Sequence, residues 1–171
     1  QRAALLSGIR GGRAPTLVSL ETGPIAKKGL PPRLINLRRQ LRPKLLATPD
    51  EFDQMDSANP EHQQIVRERL KTILQRAGAR LPAAEQAELE QALIWDVLGF
   101  GAIEPLVRDK SCSEIMVNGP DSIFAEYRGR LLETEYAFDD EEHIQWTAQR
   151  IVRPLQRSFD RHHPMVDARL P

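Results

Sequence analysis

The sequence predicts an α+β protein in which a small helical bundle is followed by an antiparallel sheet with one packing helix. Two observations support this prediction. Apolar residues recur at helical spacing between residues 61 and 98, and short apolar runs separated by turn residues follow between residues 114 and 136. Helices repeat every 3.6 residues and strands every two, so the change of period marks the change of structure. The length of 171 residues fits one ordinary domain, or a small domain with appendages.

Residues 49–98 are assigned to the helical bundle. One helix is predicted after Pro60 and stops at Gly78, and a second follows Pro82 and stops at Gly99. A third helix around residues 34–55 would complete the bundle. The predicted apolar stripes are Ile65, Val66, Leu70, Ile73, Leu74 and Ala77 in the first helix and Leu89, Leu93, Ile94, Val97 and Leu98 in the second.

Residues 99–171 are assigned to the α+β domain. After a short connector at residues 100–111, a strand at residues 114–117 ends in the turn Asn118-Gly119-Pro120-Asp121. A second strand ends at Arg128-Gly129 and a third follows, which gives an antiparallel meander. Asp139 or Asp140 caps the next helix, with Glu142 placed to return the interaction. The predicted inner face of this helix is Ile144, Ala148, Ile151, Val152 and Leu155, and Met165 and Val166 begin a further strand.

Residues 1–48 form a basic, Pro- and Gly-rich segment that is predicted to be largely disordered. Residues 1–50 contain ten Lys and Arg against two acidic residues, whereas the remainder contains fourteen against twenty-two. Such a segment is most simply a solvated linker, although nucleic acid, anionic lipid or an acidic partner would also suit its charge. Nucleic acid is the less favoured partner, because no aromatic residue is interleaved with the arginines.

Several chemical functions lack the residues they need. No run of eighteen apolar residues suggests a membrane span, and Cys112, the single cysteine, cannot form an internal disulfide. No G-x-x-x-x-G-K-[ST] loop is present, and Gly99-Phe100-Gly101 is interpreted as a helix stop. We therefore assign no catalytic residue and expect this chain alone not to hydrolyse ATP.

Three other groups are given structural interpretations. His162 and His163, even with Asp160 and Cys112, lack the spacing of a metal site, so no metal ligand is assigned. The acidic residues between 133 and 142 are explained by a turn and helix capping. Lys110 lies close to Cys112 and could lower the pKa of its thiol, but no general base accompanies it.

Two motifs carry a resemblance to a known family. DVLGFGAIEPLVRDKSCSEIMVNGP, at residues 96–120, and PMVDARLP, at residues 164–171, resemble the region ahead of the motor in ATPases of the type II/type IV secretion superfamily. The closest likeness is to the CpaF-type ATPase of tight-adherence (Flp) pilus assembly. The resemblance covers about residues 50–171 and implies a PAS-like sheet, with the chain ending before the motor domain. It departs from the family pattern at residues 160–163 and at Gln156.

The resemblance also implies a function. The full-length protein would be a cytoplasmic, hexameric ATPase that uses ATP and Mg²⁺ and contacts the inner membrane through a platform partner. Arg169 matches a basic residue that approaches the ATP phosphates, and the alternative is a surface arginine paired with Asp167. The rival interpretation of the whole chain is a stand-alone, PAS-like adaptor or regulatory module without enzymatic activity.

Overall fold

The computed structural model describes residues 2–6, 29–48, 51–152 and 165–169. The chain divides into two compact units. The first, Leu30–Ala102, is called the helical unit. The second combines residues 103–171 with the N-terminal residues 1–29 and is called the sheet unit. The mixed α+β class, with helices followed by a small sheet, is confirmed.

The helical unit contains four α-helices, which are α1 (Pro32–Leu41), α2 (Glu51–Gln54), α3 (Pro60–Arg76) and α4 (Ala83–Leu98), with a 3₁₀ turn at Arg42–Lys44. The predicted start of α3 is confirmed. Pro60 takes the first helical position, and the preceding residue caps the helix, because Asn59 Oδ1 accepts a hydrogen bond from the Glu61 N–H (2.9 Å). Gly78 follows the helix with a φ of 64°, which suits glycine at a helix end.

The core of the helical unit consists of residues from α1, α3 and α4 and from the connections between helices. The predicted stripe of α4 is buried throughout, whereas α3 buries Val66, Leu70 and Leu74 and leaves Ile65 42% exposed. Ile65 is therefore outside the stripe in which the sequence placed it. The buried core residues are Leu41, Leu45, Met55, Val66, Leu70, Leu74, Leu89, Leu93, Ile94, Val97 and Leu98.

The prediction of disorder is wrong for two parts of residues 1–48. The helix α1 and the turn after it belong to the helical unit, because Leu34, Leu41 and Leu45 are buried and offset the entropy of ordering. Arg2–Leu6 form a strand, β1. Residues 7–28 lie outside the described part of the chain. The third helix predicted around residues 34–55 is present as α1, the 3₁₀ turn and α2.

A buried ionic cluster links α1 and the following turn to α4. Arg38 Nε donates to Asp96 Oδ2 (2.7 Å), and a second Arg38 nitrogen donates to Asp96 Oδ1 (2.6 Å). Arg42 Nε lies 3.2 Å from Asp96 Oδ2. All three residues are buried. Two of the ten cations counted in the basic N-terminal segment are therefore packed inside the protein and are not exposed to a nucleic acid or a lipid surface.

A second ionic contact fixes the short helix α2 to α3. Arg69 donates two hydrogen bonds to the Glu51 carboxylate (2.7 and 2.8 Å) and a third to the Leu45 carbonyl oxygen (2.9 Å). The hydrogen bonds from Arg69 lower the pKa of Glu51 to about 2. A four-residue helix is marginal by itself, so this bidentate pair explains how α2 keeps its position.

The sheet unit contains five strands and two α-helices in its described residues. They are β1 (Arg2–Leu6), α5 (Glu104–Arg108), β2 (Cys112–Gly119), β3 (Ser122–Tyr127), β4 (Arg130–Glu133), α6 (Glu141–Val152) and β5 (Met165–Arg169). The strand order is β4-β3-β2-β1-β5. The predicted antiparallel meander is confirmed as β2, β3 and β4, and the predicted strand at Met165 is confirmed as β5.

The sequence did not predict the position of β1. This strand runs parallel to β2 and antiparallel to β5, so it separates the meander from the C-terminal strand. The sheet is consequently mixed, whereas an antiparallel sheet was predicted. Parallel neighbours need a long crossover, and the chain supplies one because residues 30–102 come between β1 and β2 in the sequence.

The two predicted turns of the meander differ in structure. Arg128 and Gly129 both have positive φ, 52° and 77°, as a two-residue type I′ hairpin loop requires. At the first turn, Gly119 is still paired with Ser122, so the loop consists of Pro120 and Asp121. The prediction that Asn118-Gly119 would supply positive φ is therefore wrong at that turn.

The buried residues of the sheet unit alternate along the strands. Ile115 and Val117 on β2, and Ile123 and Ala125 on β3, are fully or almost fully buried, and their intervening neighbours are partly exposed. This pattern is typical of a sheet with one covered face. The helix α6, which has contacts with β5, buries Ile144, Ala148, Ile151 and Val152, as predicted from its spacing. Leu155 lies outside the described residues.

Candidate functional site

Arg169, the site residue predicted from the sequence, lies at the end of β5 on one edge of the five-stranded sheet. The register of the antiparallel pair places Arg169 directly opposite Arg2 on β1. Residues at directly opposite positions of an antiparallel pair have Cβ atoms about 4.5–5.5 Å apart. The fold therefore brings two arginines from the two ends of the sequence to adjacent positions.

The same register continues across two further strands. Arg2 is paired with Glu114 on β2, and Glu114 is paired with Glu126 on β3. We call Arg169, Arg2, Glu114 and Glu126 the charged row. Opposite charges at neighbouring positions attract, and like charges repel. The row therefore has a basic half on β5 and β1 and an acidic half on β2 and β3.

The acidic half is held by a bulge in β2. The register between β2 and β3 shifts between Cys112 and Glu114, and Ser113 lies in that irregularity. Its hydroxyl lies 3.0 Å from Glu126 Oε1 and 3.1 Å from the Glu126 carbonyl oxygen, so it can donate to either. Glu126 therefore has a hydrogen-bond partner on the neighbouring strand, and Glu114 is the register partner of Arg2.

The alternative partner of Arg169 also has a defined place. Asp167 is two residues earlier on β5, and positions two apart occupy the same face of a strand. Its register partner is Ala4, which is paired with Met116, so its cross-strand neighbours carry no charge. Arg2 was missed in the sequence because no local pattern reveals a parallel pairing between β1 and β2.

The surroundings of Cys112 make its thiol less reactive. It is 2% exposed, and its Sγ donates to the Glu114 carbonyl oxygen (3.4 Å). Burial, together with the nearby charge of Asp109, raises the pKa of the Cys112 thiol. The expectation that Lys110 could lower this pKa is wrong, because loss of solvation is the larger effect.

Two neighbours of Cys112 are perturbed in the same region. Burial is the main reason that the pKa of Tyr127 rises to about 12, and the charges of Cys112 and Asp109 add to it. Hydrogen bonds from the Ser111 hydroxyl (2.6 Å) and N–H (2.9 Å) lower the pKa of Asp109. This region therefore holds a neutral thiol and a neutral phenol, and it contributes to the packing of the sheet rather than to nucleophilic chemistry.

Of the acidic residues predicted to cap α6, Asp140 provides the capping hydrogen bond. Asp140 Oδ1 accepts a hydrogen bond from the His143 N–H (2.8 Å), three residues along the chain. His143, which the sequence analysis did not single out, is fully buried and packs edge-on against Phe138, with ring centroids 4.9 Å apart. Its Nδ1 accepts from the Asp139 N–H (3.2 Å), so its contacts are those of a core residue.

The described part of the chain contains no group of three or more His, Cys, Asp or Glu residues that could hold a metal ion. His162, His163 and Asp160 lie outside the described residues. Among the described helices, none is long and apolar enough to cross a membrane. The charged row places two basic positions next to each other on β1 and β5, and one of them is Arg169, the residue that the sequence analysis singled out.

Comparison with known proteins relates part of the chain to two conjugal transfer proteins. No model of a protein family matches the chain. Over 75 residues the chain is 29% identical to two proteins from different strains of Mycobacterium tuberculosis, each named "Putative conjugal transfer protein". The match covers 44% of this chain, and it spans only 21% of the length of those relatives. The similarity relates part of the chain to proteins that are named for conjugal transfer.

Proposed function

We propose that this chain has a role in the transfer or secretion of macromolecules. The observation that carries this proposal is its 29% identity over 75 residues to the conjugal transfer proteins. The motifs at residues 96–120 and 164–171 support the same class of protein through their resemblance to the secretion ATPase superfamily.

In its more specific form, the proposal is that the chain is the N-terminal portion of a P-loop ATPase of the CpaF type. The full-length protein would be a cytoplasmic homo-hexamer that powers pilus assembly or type II/type IV secretion and docks on an inner-membrane platform protein. The local structure supports this reading. Gly99 ends α4, a short helix follows at Glu104–Arg108, and the hairpin of β2 and β3 comes next, which is the order of elements in the resembling motif.

The sheet unit would couple the nucleotide state of the motor to movement of the ring. Arg169 would approach the ATP phosphates, whose charge Mg²⁺ partly neutralises in the motor domain. A guanidinium suits this task because it stays charged and presents a fork of donors. The placement of Arg169 at the end of an edge strand supports the role, since an edge residue can meet a neighbouring domain.

The test is the ATPase activity of the full-length gene product. We expect Arg169→Ala to lower kcat/KM for ATP by about tenfold or more, since hydrogen bonds to charged groups contribute about 1.5–3 kcal/mol. Arg130→Ala is the matched control, because Arg130 begins β4 at the opposite edge of the sheet. Equal activity of wild type and Arg169→Ala would remove Arg169 from the nucleotide site.

The rival function is a regulatory or adaptor module that binds a partner without hydrolysing ATP. The coding sequence distinguishes the two. A strand followed by a glycine-rich loop, Lys and Ser or Thr downstream of residue 171 would identify the motor. A full-length product that has no such loop and no ATPase activity would favour the adaptor.

A further inference from the structure

We propose that one face of the β2–β3–β4 meander is a docking surface for an amphipathic helix of another protein, one that carries Lys or Arg beside its apolar side. Six residues on the same side of the sheet form this face, which we call the acidic–apolar face. They are Glu114 and Met116 on β2, Phe124 and Glu126 on β3, and Leu131 and Glu133 on β4. The inference does not depend on the proposed role in transfer or secretion, because it concerns only the surface of the sheet.

The strand register arranges the apolar members of this face as a strip. Met116 on β2 is directly opposite Phe124 on β3. Leu131 on β4 is opposite Glu126, two residues beyond Phe124, so Leu131 is diagonal to Phe124. Diagonal neighbours in a sheet are about 7–8 Å apart, which is within reach of an aromatic side chain. The three apolar side chains therefore form one strip that crosses three strands.

The strip lies on the more exposed side of the sheet. The neighbours of these residues along the strands, such as Ile115 and Ile123, are buried, whereas Met116, Phe124 and Leu131 each keep part of their surface exposed. A single exposed apolar residue is ordinary on a protein surface. Apolar residues that adjoin one another and have a polar rim are typical of an interaction site.

The charge of the face decides which partner fits. Three of its six residues are acidic and none is basic, although the register brings Arg2 next to Glu114 on the β1 side. Glu126 lies in the middle, and the Ser113 hydroxyl, 3.0 Å from its Oε1, holds the carboxylate without neutralising it. A second copy docked by the same face would place acidic residues against acidic residues, and nucleic acid or anionic lipid would be repelled. Complementary charge therefore selects a basic protein segment.

The dimensions of the strip suit a helix. Neighbouring strands are about 4.7–4.9 Å apart, so a strip from β2 to β4 spans roughly 10 Å. A helix with its side chains is about 10–12 Å in diameter, and sheets commonly bury an apolar face under helices. A helix lying on the strip would cover the three apolar side chains and bring its Lys or Arg residues beside the three carboxylates.

The experiment measures binding of this chain to a fluorescently labelled, 18-residue helical peptide made of leucine and lysine, by fluorescence anisotropy. A peptide of the same pattern, with glutamate in place of lysine, is the control probe. We expect Leu131→Thr to weaken binding of the lysine peptide about fivefold or more, the effect of truncating an apolar anchor of an interface. Leu132→Thr is the matched control, because Leu132 is the next residue on β4, is 37% exposed and belongs to the opposite side of the sheet.

Glu126→Gln tests the charge separately. Its amide oxygen can still accept the hydrogen bond from Ser113, so the substitution removes the charge and keeps the contact. We expect binding to weaken by about two- to fivefold, as for an exposed ion pair, and the affinity to depend less on salt. Glu68→Gln on α3 is the matched control and should leave the affinity unchanged, because Glu68 is also exposed and accepts a hydrogen bond, from Gln64 Nε2 (3.0 Å).

Several results would overturn the proposal. They are no binding of the lysine peptide, equal binding of the lysine and glutamate peptides, wild-type affinity in a folded Leu131→Thr variant, and an equal loss in Leu132→Thr. Thermal unfolding establishes that each variant is folded. If Leu131→Thr is not, Met116→Gln decides, since it keeps the length of the side chain and makes it polar, and it should also weaken binding. Sedimentation that shows a homodimer which Leu131→Thr dissociates would assign the face to a second copy and refute the basic partner.

Discussion

Replacing Asp96 with alanine should destabilise the helical unit strongly. Asp96 is 1% exposed and accepts two hydrogen bonds from Arg38, at 2.7 and 2.6 Å, while Arg42 Nε lies 3.2 Å away. The substitution removes the carboxylate and leaves two guanidinium groups inside the protein. A buried guanidinium has given up its hydration by water, and without the Asp96 carboxylate it has less favourable interaction to compensate for that cost.

The expected loss is about 3–5 kcal/mol in the free energy of unfolding, the range for removing one partner of a buried ion pair. For a chain of 150–250 residues, each kcal/mol corresponds to roughly 2–4 °C in Tm, so the melting temperature should fall by about 6–20 °C. Part of the cost is the packing lost with the side chain. The larger part is the burial of the two arginines, and it should disappear when they are replaced as well.

Urea unfolding followed by tryptophan fluorescence can measure this loss of stability in the helical unit specifically. The chain has two tryptophans, Trp95 next to Asp96 on α4 and Trp146 on α6. In a Trp146→Phe background the signal comes from the helical unit. Arg33→Ala is the matched control, because Arg33 also joins α1 to α4 through Glu85 but its side chain is 62% exposed. This control should cost less than about 1 kcal/mol.

A loss below about 1 kcal/mol for Asp96→Ala would refute the reasoning, because it would mean that water or other groups solvate the arginines equally well. The triple variant Asp96→Leu, Arg38→Met, Arg42→Leu supplies the second check. Since buried ion clusters are often replaceable by apolar residues of similar volume, it should recover most of the stability. A triple variant as unstable as Asp96→Ala would assign the loss to packing.

Three further predictions concern single sites. The folded-state pKa of Glu51 is lowered to about 2, so its contribution to stability is present above about pH 4.5 and is lost as the pH falls towards 2. Glu51→Gln should therefore make the midpoint of urea unfolding less dependent on pH over this interval. A variant whose midpoint falls with pH as steeply as that of the wild type would contradict the prediction. Arg128 has a φ of 52° beside Gly129 at 77°, so Arg128→Asn should raise stability by about 0.5–1 kcal/mol and Gly129→Ala should lower it by about 1 kcal/mol, as measured by thermal unfolding. Because burial raises the pKa of the Cys112 thiol, a disulfide reagent should modify it slowly at neutral pH until urea unfolds the protein. Fast modification of the folded protein that Lys110→Ala suppresses would instead support the expectation that Lys110 lowers this pKa.

The sequence predicted those elements whose signals are local. The start of α3 at Pro60, the end of α4 at Gly99 and the turn at Arg128-Gly129 each depend on residues within one turn of each other. The prediction failed at Gly119, where the hairpin register moved the loop to Pro120 and Asp121. Register depends on pairing across strands, and turn composition alone does not determine it.

Composition misled the interpretation of the N-terminal segment. A high content of Gly, Pro and Arg favours disorder when a segment is considered alone. In the structure, Leu34 and Leu45 are buried in the helical unit, and Arg38 is satisfied by a carboxylate far along the chain on α4. The packing partners that offset the entropy of ordering are distant in sequence, and no local window contains them.

The sequence by itself determined the α+β class and the order of helices and strands from residue 60 onwards. These follow from periodicity, capping residues and motifs, all of which are properties of neighbouring residues. Only the tertiary structure decided that Arg2 lies opposite Arg169 and beside Glu114, and that Asp96 joins two arginines of the basic segment. Strand order and the burial of charge are set by long-range packing, which places the two ends of this chain side by side.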